Sequence, residues 1–441
     1  MDNNTNKIQT ETAAEIPAEE EKAPAEASEV SADSAAPVVP DKEKLSDSDV
    51  TAHTAAMWKY NPVPESPEPY PESIFRSEAA GSFSVTASAV RGKKHKHDGS
   101  NRDDSFAFEI ADDIVIAAVS DGAGSKPFSR IGAKVSCEAV IKYSKIRLEA
   151  IKRDFPKFRK DLGGALNSSG FGAVCSQIAG MLRDSCAEAF ASVEAALEKR
   201  VDDPAFEAAV GRKPELKDFS CTLLVTVIIP VETENGREYL TASIQLGDGM
   251  IAAIDENAEQ NPLIILGDAD SGSFAGETEF ITSEQFRNPE SLMSRTKIRR
   301  GKLTSLMMMT DGVADDYYPN NPQLLRLALD LKLNGIMPLE SGETSETAED
   351  IAVPKPVSYP WVNDGDVLYA LQYSKNVLSE TGLTLDELWK NKALQKKASL
   401  AGFGIVHEKN AAEMLTIWLD NYVERGSFDD RTLLLVNILN F

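Results

Sequence analysis

Four stretches of this chain place carboxylates where an apolar run begins or ends. Ile114-Val115-Ile116-Ala117-Ala118-Val119 stops at Ser120-Asp121-Gly122-Ala123-Gly124, and Leu306-Met307-Met308-Met309 stops at Thr310-Asp311-Gly312. Asp429-Asp430 opens Arg431-Thr432-Leu433-Leu434-Leu435-Val436, and Asn101-Arg102-Asp103-Asp104 opens Ser105-Phe106-Ala107-Phe108. The apolar runs have the length and β-branched content of buried strands. Each acid then sits at a strand end, where Gly122 and Gly124 let the backbone turn and approach a ligand closely. Carboxylates that converge repel one another unless something neutralises them. Hard divalent cations do so, and Mg²⁺ or Mn²⁺ suit oxygen ligands. Two such ions acidify a shared water and hold a phosphoryl oxygen. A single Asp-Gly after a strand is an ordinary tight turn. Four acidic edges in one chain, two of them preceded by a hydroxyl residue, exceed what turn chemistry requires. No Ser-His-Asp or cysteine-nucleophile pattern competes for the chemistry.

One cationic stretch runs into these acids: Arg91-Gly92-Lys93-Lys94-His95-Lys96-His97-Asp98-Gly99. It reads as a flexible loop between strands. An exposed solubilising turn and a phosphate-attracting lip beside an acidic site both fit it.

The elements that must position these residues follow from periodicity. Phe83 to Val90 alternates with period two, as a half-buried strand does. Apolar residues at helical spacing predict helices from about Ser129 to Ala150 and from about Val174 to Lys199, long enough to cover one face of a sheet. Strands follow at Ser220 to Ile229, Tyr239 to Leu246 and Met250 to Ile254. Glu234-Asn235-Gly236 and Gly247-Asp248-Gly249 carry hairpin chemistry and predict antiparallel pairing. Such short joints exclude βαβ units, and no dinucleotide or P-loop glycine motif is present. Helices are expected at Gln323 to Leu333, Leu383 to Ser399 and Ala411 to Val423, a loop at Ser341 to Ser358, and a last strand from Thr432 to Asn440. Residues 315–404 separate two acid motifs and read as an insertion or flap over the site.

The chain has 441 residues and a formal charge of −24. Residues 1–80 hold 17 acids against 6 bases. They are rich in Ala, Glu, Ser and Pro and poor in aromatics, so they read as a disordered acidic tail ending in a Pro-rich linker. The folded domain is expected over 81–441. An acidic body argues against nucleic acid or anionic membrane as partner, and no apolar run reaches the roughly 18 residues of a membrane span. Cys137, Cys175, Cys186 and Cys221 lack CxxC spacing and read as reduced core thiols. With no secretory pattern at Met1-Asp2-Asn3-Asn4, the expected compartment is the cytoplasm.

The ordered set of motifs resembles the metal-dependent serine/threonine protein phosphatases of the PP2C (PPM) type, in a divergent bacterial branch, from about Phe83 to Phe441. The resemblance implies an α+β fold, a four-layer α-β-β-α sandwich of two antiparallel sheets flanked by helices. It implies two Mn²⁺ or Mg²⁺ ions on Asp104 (or, by a shift of register, Asp103), Asp121, the Gly122 carbonyl, Asp311 and Asp429. Ser220-Cys221-Thr222 and Gly247-Asp248-Gly249 match two further family motifs. The implied reaction is hydrolysis of phosphoserine or phosphothreonine by a metal-activated water, in a monomer that acts on phosphoproteins and is paired with a serine/threonine kinase. Two departures stand out. Many family members carry Asp-Gly-His-Gly, where this chain has Ala123, so His95 is the expected substitute acid. The family's phosphate-binding arginine has no clear match after Gly92, which leaves Arg91 and Lys94 as the expected phosphate contacts. The competing expectation is a pseudophosphatase that binds and regulates; a third is a hydrolase of small phosphate esters.

Overall fold

In the computed structural model, the run Ile114–Ser120 is buried on both faces, and that fact fixes the layering. Described are residues 58–65, 67–267, 278–339, 351–354, 372–402, 410–422 and 428–439. The strands are β1 (Ser73–Ala80), β2 (Phe83–Val90), β3 (Ser105–Ala111), β4 (Ile114–Ser120), β5 (Leu223–Thr233), β6 (Gly236–Leu246), β7 (Met250–Ile254), β8 (Leu263–Ile265), β9 (Thr296–Gly301), β10 (Ser305–Met309) and β11 (Arg431–Ile438). The main helices are α1 (Lys93–Asp98), α2 (Ser129–Asp154), α3 (Ser169–Glu198), α4 (Asn320–Leu333), α5 (Tyr373–Thr381), α6 (Leu385–Lys390), α7 (Lys392–Gly402) and α8 (Ala411–Asn421).

Strand alternation sorts the side chains of β4 between two cores. Ile114, Ile116 and Ala118 pack with Ile131 and Val140 of α2 and Ile178 and Leu182 of α3. Val115, Ala117 and Val119 point the other way, onto Phe83, Val85, Leu306, Met308, Leu434 and Val436 of the second sheet. The far face of that sheet, with Met307, Met309, Leu433 and Leu435, packs against Leu324, Leu327, Trp389, Leu394, Leu415 and Trp418 of the C-terminal helices. The result is helices, sheet, sheet, helices. Both sheets are antiparallel, in the orders β3-β4-β5-β6-β9 and β1-β2-β11-β10-β7-β8. This is the expected four-layer α-β-β-α sandwich.

Four expectations change. The joint Gly247-Asp248-Gly249 is not a hairpin: β6 lies in one sheet and β7 in the other, so this turn crosses the sandwich. Gly247 and Gly249, at φ +94° and +92°, supply the backbone that a reversal into the other sheet needs. Within residues 315–404, expected as an insertion or flap, the described helices α4 to α7 form part of the outer layer of the second sheet, because their apolar stripes need a partner and the far faces of β10 and β11 provide it. The cationic stretch after β2 is not a loop throughout, since Lys93–Asp98 forms a helical turn closed by Gly99 at φ 74°. The fold also begins earlier than Gly81: β1 pairs with β2 from Ser73↔Val90 to Ala80↔Phe83. Residues 1–57 of the expected tail, and the expected loop at 341–358 apart from 351–354, lie outside the described residues. No described helix is long and apolar enough to cross a membrane. The four cysteines are free, and three are buried.

Candidate metal centre

The acids at these strand edges stand at one end of the sandwich, where the chain enters or leaves a strand. Asp104 precedes β3, Asp121 follows β4, Asp248 lies in the β6–β7 crossover, Asp311 follows β10 and opens a one-turn helix Asp311–Ala314, and Asp429-Asp430 precede β11. They form two adjoining groups of opposite character.

In the first group, carboxylate oxygens of Asp121, Asp248 and Asp311 all lie within 4.8 Å of one another. Asp104 stands behind them. Its Oδ2 accepts hydrogen bonds from Thr310 Oγ1 at 2.8 Å and Thr432 Oγ1 at 2.7 Å, while its Oδ1 is buried and receives no donor. Thr310, the hydroxyl residue before Asp311, and Thr432, two residues after Asp430, are therefore the props of Asp104, whereas Ser120 Oγ donates to the Thr222 carbonyl. Burial first, and then the charges of Asp311, Asp104 and Asp248, hold the Asp121 carboxyl well above the usual range. Burial and the charges of Asp248, Asp104 and Asp429 do the same to Asp311. Asp104 is pushed up to about 7 by burial and by Asp430, against the pull of its hydroxyl partners. Carboxylates converging this closely, with a buried Asp104 Oδ1 that receives no donor behind them, suit a hard cation by composition, since the candidate ligands are all oxygen.

The second group is closed upon itself. Asp430 accepts backbone N–H groups from Gly92, at 2.6 Å, and from Asp103, and its Oδ1 lies 3.1 Å from His95 Nδ1. Burial would raise Asp430, but His95 and those N–H donors outweigh it and hold the carboxyl below the ordinary value. His95 is buried, with Nδ1 2.7 Å from the Asn101 carbonyl and Nε2 3.3 Å from Asp429 Oδ1. Burial pulls the imidazole down, yet Asp430, Asp103 and Asp429 raise it to about 10. Asp103 is pushed to about 8 by burial and Asp430. Three donors thus satisfy Asp430, which acts as an anchor where Asp121 and Asp311 act as a trap.

Glycine makes the convergence possible. A Cβ on Gly122 would stand 2.6 Å from the Asp103 carbonyl oxygen, and one on Gly312 would stand 2.0 Å from that of Asp430. Neither position accepts a side chain, so the acid-glycine pairs are packing requirements as well as turns.

Asp104 and Asp121 face each other, which separates Asp104 from Asp103, and Asp311 joins them. Asp429 lies at the rim, with its side chain 43% exposed and Oδ1 accepting from the Asp430 N–H. His95 lies beside the loop that carries Ala123: a methyl on Gly124 would stand 3.8 Å from its Nε2. Arg91 is turned to other partners. Its side chain is buried, with Nη1 on Glu72 Oε1 and the Asn61 carbonyl and Nη2 on the His95 carbonyl, all at 2.9 Å. A guanidinium so committed is a strut, not a phosphate contact. Lys94 is exposed on α1, and its backbone N–H bonds the Phe428 carbonyl at 2.8 Å, next to Asp429. Asp248 and Asp430 were missed as site residues. The signal for Asp248 was its acid between two glycines; Asp430 was masked by its neighbour Asp429.

A protein phosphatase 2C family model matches residues 91–331, more than half of the chain. The chain belongs to the protein phosphatase 2C family. Similar solved structures include a bacterial serine phosphatase, 10% identical, with 81% of this chain and 98% of that chain covered and a TM-score of 0.35. The serine/threonine phosphatase Stp1 from Staphylococcus aureus is 10% identical over 84% of this chain and 95% of that one, with a TM-score of 0.33. A serine-threonine phosphatase 2C from Toxoplasma gondii is 11% identical over 84% and 100%, with a TM-score of 0.38. No curated protein matches the chain.

The two groups of this phosphatase-family chain make its stability depend on pH in a defined direction. Asp104 at about 7 and Asp103 at about 8 keep protons that the unfolded chain releases near the ordinary aspartate value of 3.8. The folded state then binds more protons than the unfolded one between those values, so stability falls as pH rises through the window. His95 adds to the same slope, because its stabilising charge is complete below 6.5 and is lost as pH rises through about 10. In EDTA, the melting temperature of the full chain is expected to fall between about pH 5.5 and 8. Saturating Mn²⁺ is expected to flatten that fall, since a cation replaces the protons. A pH-independent melt in EDTA would count against the electrostatics described above.

Proposed function

We propose that the chain is a metal-dependent protein serine/threonine phosphatase that acts on phosphoproteins. The observation that carries this reading is the cluster of Asp121, Asp248 and Asp311 backed by the donorless Oδ1 of Asp104, in a chain of the protein phosphatase 2C family. Asp104, Asp121, Asp248, Asp311, Asp429 and the Gly122 carbonyl would hold two Mn²⁺ or Mg²⁺ ions. Such ions acidify water and neutralise phosphoryl charge.

The residues of the chain do the rest. Asp104, fixed by Thr310 and Thr432, presents its free oxygen beside Asp121. His95 carries a proton on Nε2 at the rim, beside Asp429, where a departing serine or threonine oxygen needs one. Lys94 offers positive charge to an incoming phosphate, as a point charge without the bidentate fork of arginine. Replacing His95 with Gln should lower kcat by roughly 10²-fold, and the loss should shrink for p-nitrophenyl phosphate, whose leaving group needs no proton. An equal loss on both substrates would remove His95 from the proton-transfer role.

One observation favours a second reading, a pseudophosphatase that binds and regulates: Arg91, an expected phosphate contact, is spent on structure. The deciding experiment is phosphate release from a phosphothreonine peptide by the full chain with Mn²⁺, Mg²⁺ or EDTA, beside a nucleotide and a small phosphate ester. Cation-dependent release from the peptide supports the phosphatase. Preference for the small ester moves the reading to that substrate class, and no release from folded protein moves it to the binding module.

A further inference from the structure

Residues 58–65 and 67–72, the Pro-rich part of the expected tail, are laid across the molecule beside the acidic centre. We infer that this segment is a positioning strap, which sets His95 and Asp104 in place through two buried arginines and an aromatic clamp. The inference rests on the phosphatase reading only where it concerns turnover.

The strap starts on α1. The Trp58 ring meets His97 edge-on at 5.3 Å and leans on Phe428 at 4.8 Å. Phe428 directly precedes Asp429. Lys59 N–H donates to His97 Nδ1 at 3.1 Å, Asn61 N–H donates to the Lys96 carbonyl at 2.7 Å, and Asn61 Nδ2 donates to the His97 carbonyl. The helix that carries His95 is thus held along its last turn by chain from outside the sandwich.

Two arginines then join strap to site. Arg91 gives Nη1 to the Asn61 carbonyl and to Glu72 Oε1, and Nη2 to the His95 carbonyl. Arg102 gives Nε to the Pro71 carbonyl at 3.2 Å and Nη1 to the Asp104 carbonyl. Both residues are 1% exposed. Tyr70 N–H donates to Asn101 Oδ1 at 2.9 Å, and the carbonyl of that same Asn101 meets His95 Nδ1. Further along, Arg130 binds the Pro67 and Glu68 carbonyls, and Arg200 grips the Glu68 carboxylate at 2.7 Å.

The physical consequence follows from burial. A buried guanidinium stripped of acceptors is costly, because the lost partners are not replaced by water. Without the strap, Arg91 loses two acceptors and Arg102 one, and each must move to recover them. The atoms they hold on their other side are the backbone of His95 and of Asp104. Pro62, Pro64, Pro67, Pro69 and Pro71 restrict φ, so the segment loses little entropy when it docks. A solvating spacer would have no use for carbonyls matched to three arginines and a carboxylate matched to a fourth.

The test uses the full chain. Trp58→Ala removes the aromatic clamp, Trp58→Phe restores a ring, and Glu72→Gln keeps the shape while weakening the hold on Arg91. Kinetics on a phosphothreonine peptide in Mn²⁺ are read together with hydrogen-exchange mass spectrometry of residues 93–104 and a melt. The expected result for Trp58→Ala and Glu72→Gln is a kcat about 10-fold lower with KM within twofold, faster exchange across residues 93–104 and a nearly unchanged melting temperature. Trp58→Phe should recover most of kcat. Unchanged kcat and exchange in both variants would overturn the strap, and a raised kcat would overturn it in favour of autoinhibition. If Trp58→Ala does not fold, Glu72→Gln decides. If the wild-type chain releases no phosphate, the phosphatase reading fails separately, and exchange across residues 93–104 still decides the strap.

Discussion

Asp311→Asn should abolish phosphate release, by on the order of 10³-fold, while making the cation-free protein more stable. The two effects have one cause. Asp311 is held among Asp121, Asp248 and Asp104, and its carboxyl is driven up by burial and by their charge. Asparagine keeps the shape and removes one member of a repelling set, so the folded chain in EDTA no longer holds as many like charges together. At pH 8 the melting temperature in EDTA should rise by about 2 °C or more, the shift that roughly 1 kcal/mol produces in a domain of a few hundred residues. In Mn²⁺ the order should reverse, because wild type gains from the cation and the variant binds it poorly. A variant that loses activity and also melts lower in EDTA would mean that Asp311 is a structural acid, and the centre would need to be drawn elsewhere.

The same contrast explains which parts of the molecule the sequence made legible. Strands buried on both faces announce themselves as continuous apolar runs, so β4 and β10 and the acids at their ends could be read directly. The long helices α2 and α3 were visible through spacing. Edge strands were not. Ser73–Ala80 is half-exposed and mostly polar or small, and Thr296–Gly301 carries three cations, so neither shows alternation and both depend on a partner strand for their form. Gly247-Asp248-Gly249 has the local chemistry of a hairpin because a glycine-rich reversal looks the same locally whether the next strand pairs beside the last or crosses to the facing sheet. That choice is made by β10, some fifty residues later, which pairs with β7. Asp248 was lost as a site residue with it. Likewise, residues 315–404 looked like an insertion because nothing local says that their apolar stripes cover β10 and β11. Composition alone describes the Pro-rich segment as a linker, while its order comes from arginines far along the chain, Arg130 and Arg200 among them.

Asp430→Ala should have the opposite effect on stability to Asp311→Asn, although the two acids are near neighbours. Asp430 is an anion that the fold wants: it accepts from the Gly92 and Asp103 backbone and pairs with His95, and its carboxyl is held below the ordinary value. Removal leaves two buried N–H groups without an acceptor and an imidazolium without its main partner. Breaking a buried pair in this way costs about 3–5 kcal/mol. The full chain should melt far lower both in EDTA and in Mn²⁺, since the loss does not depend on cation binding. The imidazole of His95 should also lose most of what raises it, and an NMR titration of its ring should move toward the ordinary histidine range. Asp430→Asn discriminates between shape and charge: it keeps acceptors for one N–H and must fall between wild type and Asp430→Ala. If Asp430→Ala instead melts like Asp311→Asn, higher in EDTA than wild type, the acids form a single trap, and the division into an anchor and a cation site is wrong.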